Sequence, residues 1–399
     1  MHPRELSIFD FTYALPEERI AAQPLPQRDT SRLLVYREGH IADRSFRDLP
    51  GSIPPGALLV LNDTRVVHAR VRFQRTTGAV LECMVLTPGD GRAIEQALLD
   101  GQRSQWWCMM GNAKRWKGET LTLERDGITL TAQRVEQRDG EHLIEFTWST
   151  GAAFVDVLHR FGSVPLPPYM RREAMPEDDE RYNTVFAVRD GSVAAPTASL
   201  HFSDNVLADL RSRDIRSAQV TLHVGAGTFL PVKSTMMADH AMHAEEIHIQ
   251  RATIVALRDQ LDTGPIIPVG TTALRTIESL YWHGVALLSG GAGNTMDVAQ
   301  WDPYREAAEI SSATALDAVL GSFKGQDALN GRTRLLIAPG YRFRMADALV
   351  TNFHQPQSTL LLLVAAFIGP GWREVYQHAL DNGYRFLSYG DGSLLFRSS

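Results

Sequence analysis

A chain of 399 residues with 44% hydrophobic and 22% charged side chains can fill more than one core, which excludes a disordered chain and implies two or three domains. Its 46 Asp and Glu against 40 Lys and Arg leave a formal charge of −6, which argues against non-specific coating of nucleic acid, a mode that needs surplus cations. Cys83 and Cys108 are too few for a disulfide frame, the opening MHPRELSIFD lacks the pattern of a secretory signal, and the longest apolar run, 360–368, is about half of the ~20 residues of a membrane-spanning helix; a cytoplasmic protein without a membrane segment is expected.

Pro16 followed by Glu17 and Glu18 predicts a short helix near 16–22. Apolar runs at 32–36 and 58–61 predict buried strands. The texture then changes. Six β-rich runs at 66–73, 79–86, 106–110, 120–123, 128–135 and 143–146, punctuated by Gly78, Gly89, Gly118, Gly127 and Gly140, predict a small antiparallel barrel or sandwich. From about 203 strands and helices alternate: helix 206–213, strand 217–224, helix 252–261, strand 266–269 and helix 274–282, the pattern of an α/β layer structure. Residues 290–333, rich in Gly, Ala, Ser, Asn and Asp, read as a partly ordered excursion with an amphipathic stretch near 313–320. Strands at 335–337, 349–351 and 393–396 and helices at 358–367 and 373–382 complete the chain.

Several segments could carry chemistry. VTLHVGAGTF, 220–229, runs a strand into Gly225-Ala226-Gly227-Thr228, where backbone N–H groups could hold an anion or where glycines merely turn the chain. VGTTALRTIES, 269–279, sets Thr271 and Thr272 at a helix start, with Arg275 and Glu278 either facing a ligand or pairing on the helix surface. DHAMHAEEIHI holds His240, His243, Glu245 and His248, a density that invites a metal-dependent hydrolase, though the spacing matches no usual zinc set. LLVLNDTRVVHARV places Asp63 and Arg65 between apolar runs, and a guanidinium so flanked usually finds a carboxylate or phosphate. SVAAPTASLHF leads to His201, TNFHQPQSTLL offers Asn352 and His354, and YRFLSYGDGSLLF carries Tyr389 and Asp391. Basic clusters lie at Lys114, Arg115 and Lys117, at Arg171 and Arg172, and at 211–216, 332–334 and 342–344; the first adjoins Trp106, Trp107 and Trp116, a mixture suited to stacking bases and gripping phosphates. No P-loop, GxGxxG, GxSxG or CxxC is present.

These segments in this order, together with FDFTYALPEERIAAQPLPQRDTSRLLV, PLPPYMRR, ERYNTVFA, HAMHAE, APGYRF and LVTNFHQPQSTLLLLVAAF, closely resemble the S-adenosylmethionine:tRNA ribosyltransferase-isomerases of queuosine biosynthesis, over most of 9–396. The resemblance implies a layered α/β domain, 1–65 plus 150–399, interrupted by an all-β antiparallel barrel at 66–149. It implies transfer of the ribosyl part of S-adenosylmethionine onto 7-aminomethyl-7-deazaguanine in the tRNA wobble position, with S-adenosylmethionine as co-substrate, no metal or tightly bound cofactor, the tRNA anticodon stem-loop as partner, and a monomer. Carried onto matching positions, Asp63, His223 and Asp391 are candidates for proton transfer. Substrate-binding candidates are Arg65, His201, Gly225, Gly227, Thr228, His243, Glu245, Thr271, Thr272, Arg275, Asn352, His354 and Tyr389. The glycine loop and the Thr271–Thr272 helix start would take the methionine carboxylate or ribose hydroxyls, with Arg275 contributing charge. Lys114, Arg115, Lys117, Arg171 and Arg172 are the candidates for RNA. The sequence departs from the family pattern at His68, Ser199, Gln355, Gln357, Gly392 and Ser393, and 279–339 is longer than usual; a Lys missing at Gln357 weakens one expected cationic contact. The alternative readings are a member that binds RNA or S-adenosylmethionine without completing the transfer, and the metal-dependent hydrolase.

Overall fold

The computed structural model describes residues 2–75, 77–138, 140–225, 227, 232–291, 293, 295–305 and 309–398. The strand Leu58–Asn62 is buried along its whole length, as its apolar run 58–61 requires of a strand covered on both faces, and the buried Asn62 amide donates to the Leu222 carbonyl at 3.0 Å. It lies between the parallel strands Ile266–Pro268 and Arg216–His223. The sheet continues antiparallel through Glu245–Gln250 and Ala328–Thr333 and ends at Met296–Val298, giving six strands. The helix Thr271–Leu288 packs over it, supported by Arg251–Gln260 and Ser312–Ser322.

A four-stranded sheet, ordered Ala348–Asn352, Gly392–Phe396, Arg32–Arg37 and His40–Ser45, adjoins the first through a parallel bridge between Val269 and Val350. Its hairpin turns at Glu38 and Gly39, both at positive φ, which matches the right-handed twist of the flanking strands. The helix Thr359–Ile368 starts on Ser358, whose hydroxyl accepts from the Leu361 N–H at 3.2 Å.

The β-rich segment forms one antiparallel sheet, ordered Gly162–Ser163, Arg70–Gln74, Val80–Pro88, Arg103–Gly111, Glu141–Trp148, Ile128–Arg138 and Leu121–Arg125. The sheet curls until Arg70–Gln74 lies against Leu121–Arg125. Phe154, on the helix Phe154–Phe161, enters its core, with Trp106, Phe146 and Trp148 at centroid distances of 5.5, 5.3 and 5.3 Å.

Three expected elements differ. Residues 335–337 form no strand, the sheet position being taken by Ala328–Thr333 just before them. Only a single turn, Glu17–Arg19, forms near 16–22, because Ile20 bridges to Phe386 and the Ala21 N–H donates to the Phe386 carbonyl, which draws the chain out straight. Within 290–333, the described residues supply the last two strands of the six-stranded sheet and the helix Ser312–Ser322 rather than an excursion. Gly331 shows why the strand was hidden: a Cβ there would stand 2.1 Å from the Met296 carbonyl oxygen, so packing demands a residue of low strand propensity. No described helix is long and apolar enough to cross a membrane.

Candidate active site

A cavity of about 660 Å³ opens where three strands end: after Pro268, where Gly270 leads into the helix at Thr271, after His223 at Val224, and at Asn352. Carboxyl ends of strands are where open α/β sheets hold ligands. Of the substrate-binding candidates, Gly225, Gly227, His243, Glu245, Thr271, Thr272, Arg275, Asn352 and His354 line it. Thr228 lies outside the described residues.

Arg275 and Glu245 form a buried ion pair in the wall. Arg275 Nη1 donates to Glu245 Oε2 and Nε donates to the Leu335 carbonyl at 3.0 Å, while Nη2 has no partner among the described residues. Glu278 points elsewhere, so the helix-surface pairing at three residues' spacing does not form. Its carboxylate accepts from the Tyr341 hydroxyl at 2.8 Å and from the backbone N–H groups of Arg344, Met345 and Ala346 at 3.0, 2.9 and 3.3 Å. Burial pushes the Glu278 carboxyl up, against the pull of those donors.

His243 packs against Gly227 so closely that a Cβ there would stand 2.3 Å from the ring. Burial, aided by His243, lowers His240. His354 is held at its backbone N–H by the Tyr376 oxygen at 3.0 Å and at Nε2 by Thr351 Oγ1 at 2.9 Å; burial lowers it to about 3, so the ring is neutral. His248 contacts Asn330 Oδ1 at 2.6 Å, away from the cavity. The strand Glu245–Gln250 thus splits the histidine-rich segment, and Glu245 is already committed to Arg275. Among the described residues, no group of three or more His, Cys, Asp or Glu is arranged to hold a metal ion.

Asp63, His223, Asp391, Arg65, His201 and Tyr389 stand outside the lining. Asp63 accepts from the Thr221 hydroxyl at 2.6 Å, and burial pushes its carboxyl up. His223 Nδ1 meets Thr64 Oγ1 at 2.9 Å, and its Nε2 faces Glu95 at 3.6 Å. His223, with Arg189 beside it, holds Glu95 down at about 2. Asp391 accepts from the backbone N–H groups of Arg32 and Arg385, each at 2.8 Å, and burial pushes it up. Arg65 donates to the Ala187 carbonyl at 2.9 Å. Tyr389 donates to Asp178 at 2.8 Å, and Arg172 grips the same carboxylate with two bonds of 2.6 and 2.8 Å.

Lys114 and Arg115 lie on an exposed turn with Lys117 just beyond it. Trp106, Trp107 and Trp116 are buried, and Arg138 and Arg134 cover the last two at 3.6 and 5.2 Å from the ring centres, so these indoles are not free platforms. Arg171 is exposed and meets Glu17 at 2.7 Å.

The cavity also includes Lys233, Asp239, Tyr169 and Ser388, which sequence reasoning missed. Tyr169 hydrogen-bonds Ser388, and burial pushes its phenol up to about 12. The only signal of Tyr169 and Ser388 was membership in the PLPPYMRR and YRFLSYGDG segments, and that of Asp239 was its place at the head of DHAMHAEEIHI.

A cavity with a buried ion pair and the neutral His354 imidazole at the strand ends of a mixed α/β fold has the form of a small-molecule enzyme site. The chain belongs to the queuosine biosynthesis protein family, whose description matches residues 8–395. A relative in Azoarcus sp. (strain BH72), 42% identical over 396 residues that make up 98% of each chain, is an S-adenosylmethionine:tRNA ribosyltransferase-isomerase. One of the same name in Nitrosomonas europaea is 38% identical over 396 residues, 98% of this chain and 97% of the relative. The crystal structure of S-adenosylmethionine tRNA ribosyltransferase from Thermotoga maritima matches at 26% identity and a TM-score of 0.47, covering 97% of this chain and 100% of that one.

Proposed function

We propose that this chain transfers and isomerises the ribosyl part of S-adenosylmethionine onto 7-aminomethyl-7-deazaguanine at the tRNA wobble position, giving epoxyqueuosine, adenine and methionine. The observation that carries this reading is the full-length identity of 38–42% to relatives of that name. The cavity volume also suits a ligand of this size. The sulfonium acidifies the neighbouring C5′ hydrogens, so a base takes one proton and starts the loss of adenine, which leaves with a proton. The substrate amine adds to the carbonyl carbon left where adenine departed, the C=O π bond opening onto oxygen as the amine gives up its proton, and epoxide closure, in which a ribosyl oxyanion displaces sulfur, breaks the carbon–sulfur bond and releases methionine. Positioning and general acid–base catalysis supply these steps.

In this reading Arg275, with Thr271, Thr272 and the Gly225–Thr228 loop, receives the methionine carboxylate or ribose hydroxyls. Titratable groups on the wall that are open to proton exchange with substrate include Asp239, His240 and His243. Asp63, His223 and Asp391 act through the segments they hold, and Arg65, His201 and Tyr389 support the wall from behind. Lys114, Arg115, Lys117 and Arg171 meet the anticodon stem-loop, while Arg172 fixes the neighbouring segment. The domain division at 1–65 plus 150–399 and 66–149, a layered α/β unit with an inserted barrel, belongs to the same proposal. So do a monomer, a cytoplasmic location and S-adenosylmethionine as co-substrate without a resident cofactor.

The test is nucleoside mass spectrometry of tRNA bearing the precursor base after incubation with enzyme and S-adenosylmethionine. Epoxyqueuosine and free adenine are expected; the absence of both rejects transferase function.

A further inference from the structure

Behind the cavity, a chain of hydrogen bonds has its polarity fixed at both ends. At one end, the Arg28 carbonyl can only accept, so the Ser31 hydroxyl donates to it at 2.9 Å. The Ser31 oxygen then accepts from His201 Nδ1 at 2.8 Å, which leaves His201 Nε2 bare and able to accept from Asn352 Nδ2 at 3.2 Å. At the other end, the Asp391 carbonyl, 3.4 Å from Asn352, can only accept, and it calls independently for the NH2 group on that side of the amide. Asn352 Oδ1 is thereby turned toward Thr197 Oγ1, which must donate to it at 2.8 Å.

Thr197 and Asn352 both line the cavity, whereas His201 does not. With their protons spent on this chain, what remains for a ligand is the second lone pair of Asn352 Oδ1 and the lone pairs of Thr197 Oγ1. We infer that Thr197 and Asn352 form an acceptor-only face of the cavity, held in that polarity by His201 as a positioning residue, and that this face takes an O–H or N–H donor of the substrate. Burial, with Arg385 and Arg28 nearby, lowers His201 to about 3, so the neutral ring keeps this polarity at every physiological pH. The inference rests on the proposed reaction, whose substrates offer two sources of such a donor: the ribose hydroxyls of S-adenosylmethionine and the aminomethyl group of the tRNA base.

The experiment is equilibrium titration calorimetry with S-adenosylmethionine and its 2′-deoxy and 3′-deoxy analogues, combined with steady-state kinetics on precursor tRNA. Wild type, Thr197→Val, His201→Leu and His201→Gln are compared. If the donor is a ribose hydroxyl, wild type prefers S-adenosylmethionine over one deoxy analogue by about tenfold, the worth of one well-placed hydrogen bond. Thr197→Val and His201→Leu abolish that preference, and His201→Gln, which returns an acceptor near the Nε2 position, restores it. If the donor is the aminomethyl group, the analogues bind alike, while the KM for tRNA rises about tenfold in Thr197→Val and His201→Leu and recovers in His201→Gln. A merely structural role of His201 would lower all affinities together and would not alter the ratio between analogues. Should His201→Leu fail to fold, Thr197→Val, on the half-buried cavity wall, carries the test. Folded variants with wild-type analogue ratios and wild-type tRNA KM overturn the inference. A wild-type enzyme that binds no S-adenosylmethionine overturns the reaction on which it rests.

Discussion

Replacing Glu245 by Leu isolates the energetic role of the cavity's ion pair. Arg275 is 7% exposed and Glu245 6%, so the variant strands a buried guanidinium whose one other bond among the described residues is Nε to Leu335. Breaking a buried pair from one side costs about 3–5 kcal/mol. Water entering from the cavity places the expected loss at the lower end, about 3 kcal/mol. An unfolding entropy of about 2.1 cal/mol/K per residue over 399 residues is roughly 0.8 kcal/mol/K, so the melting midpoint falls by about 4 °C. The double variant Glu245→Leu/Arg275→Met removes both charges, keeps apolar volume, and is expected to melt within about 1 °C of wild type. Differential scanning calorimetry without ligand reads both numbers free of binding linkage. In the proposed function the double variant nevertheless loses affinity for S-adenosylmethionine, which separates the pair's binding role from its stabilising one. A single variant that melts with wild type, or a double variant that melts as low as the single, refutes the argument.

Glu95 is held at about 2, below its ordinary 4.5, by His223 and Arg189. A depressed carboxyl contributes stability above the unfolded value and loses it as pH falls toward the folded one, so Glu95→Gln should flatten the stability profile below about pH 4.5, seen in urea melts; its partial exposure keeps the effect below about 1 kcal/mol. Gly227→Ala drives a methyl group into His243 and is expected to weaken S-adenosylmethionine binding by about tenfold or more, with little change in melting temperature; unchanged affinity by calorimetry would show that the loop moves aside freely. Replacing Lys114, Arg115 and Lys117 together by Gln should weaken tRNA binding and make the slope of log K against log salt shallower by about 2, measured by filter binding; a slope equal to wild type removes this turn from the RNA surface.

How much of this was written in the sequence depends on the range of each interaction. Leu58–Asn62 was legible because a strand covered on both faces needs an apolar run such as 58–61, and the curled β sheet because glycines punctuate its strands. Ala328–Thr333 was not, since its Asn330-Gly331-Arg332 core answers to Met296 and Glu245–Gln250 rather than to strand propensity. At the site, the helix start at Thr271 could be read from a local pattern. The partner of Arg275 could not: Glu278 is three residues away and Glu245 thirty, and the fold rather than helical spacing chooses between them. Lys233, Asp239, Tyr169 and Ser388 come from separate segments that meet at the cavity, so no local spacing announces them.

The same distinction governs the chain's charge. A sum of −6 looks unsuited to an RNA partner, and the arginine clusters look like the remedy, yet most of those arginines are paired with carboxylates of the same chain. Arg172 is taken by Asp178, Arg332 and Arg334 share Asp297, Arg213 meets Asp209 and Arg342 meets Glu309. A guanidinium already paired releases few counterions when a phosphate approaches, so counting basic residues overstates the electrostatic grip. Around the exposed turn at Lys114 the balance is reversed, because the nearby Glu119 is engaged by Arg75 and leaves the three cations beside it to solvent. Affinity for RNA in a net-acidic chain therefore depends on which carboxylates are already occupied, a property of the fold that composition does not contain.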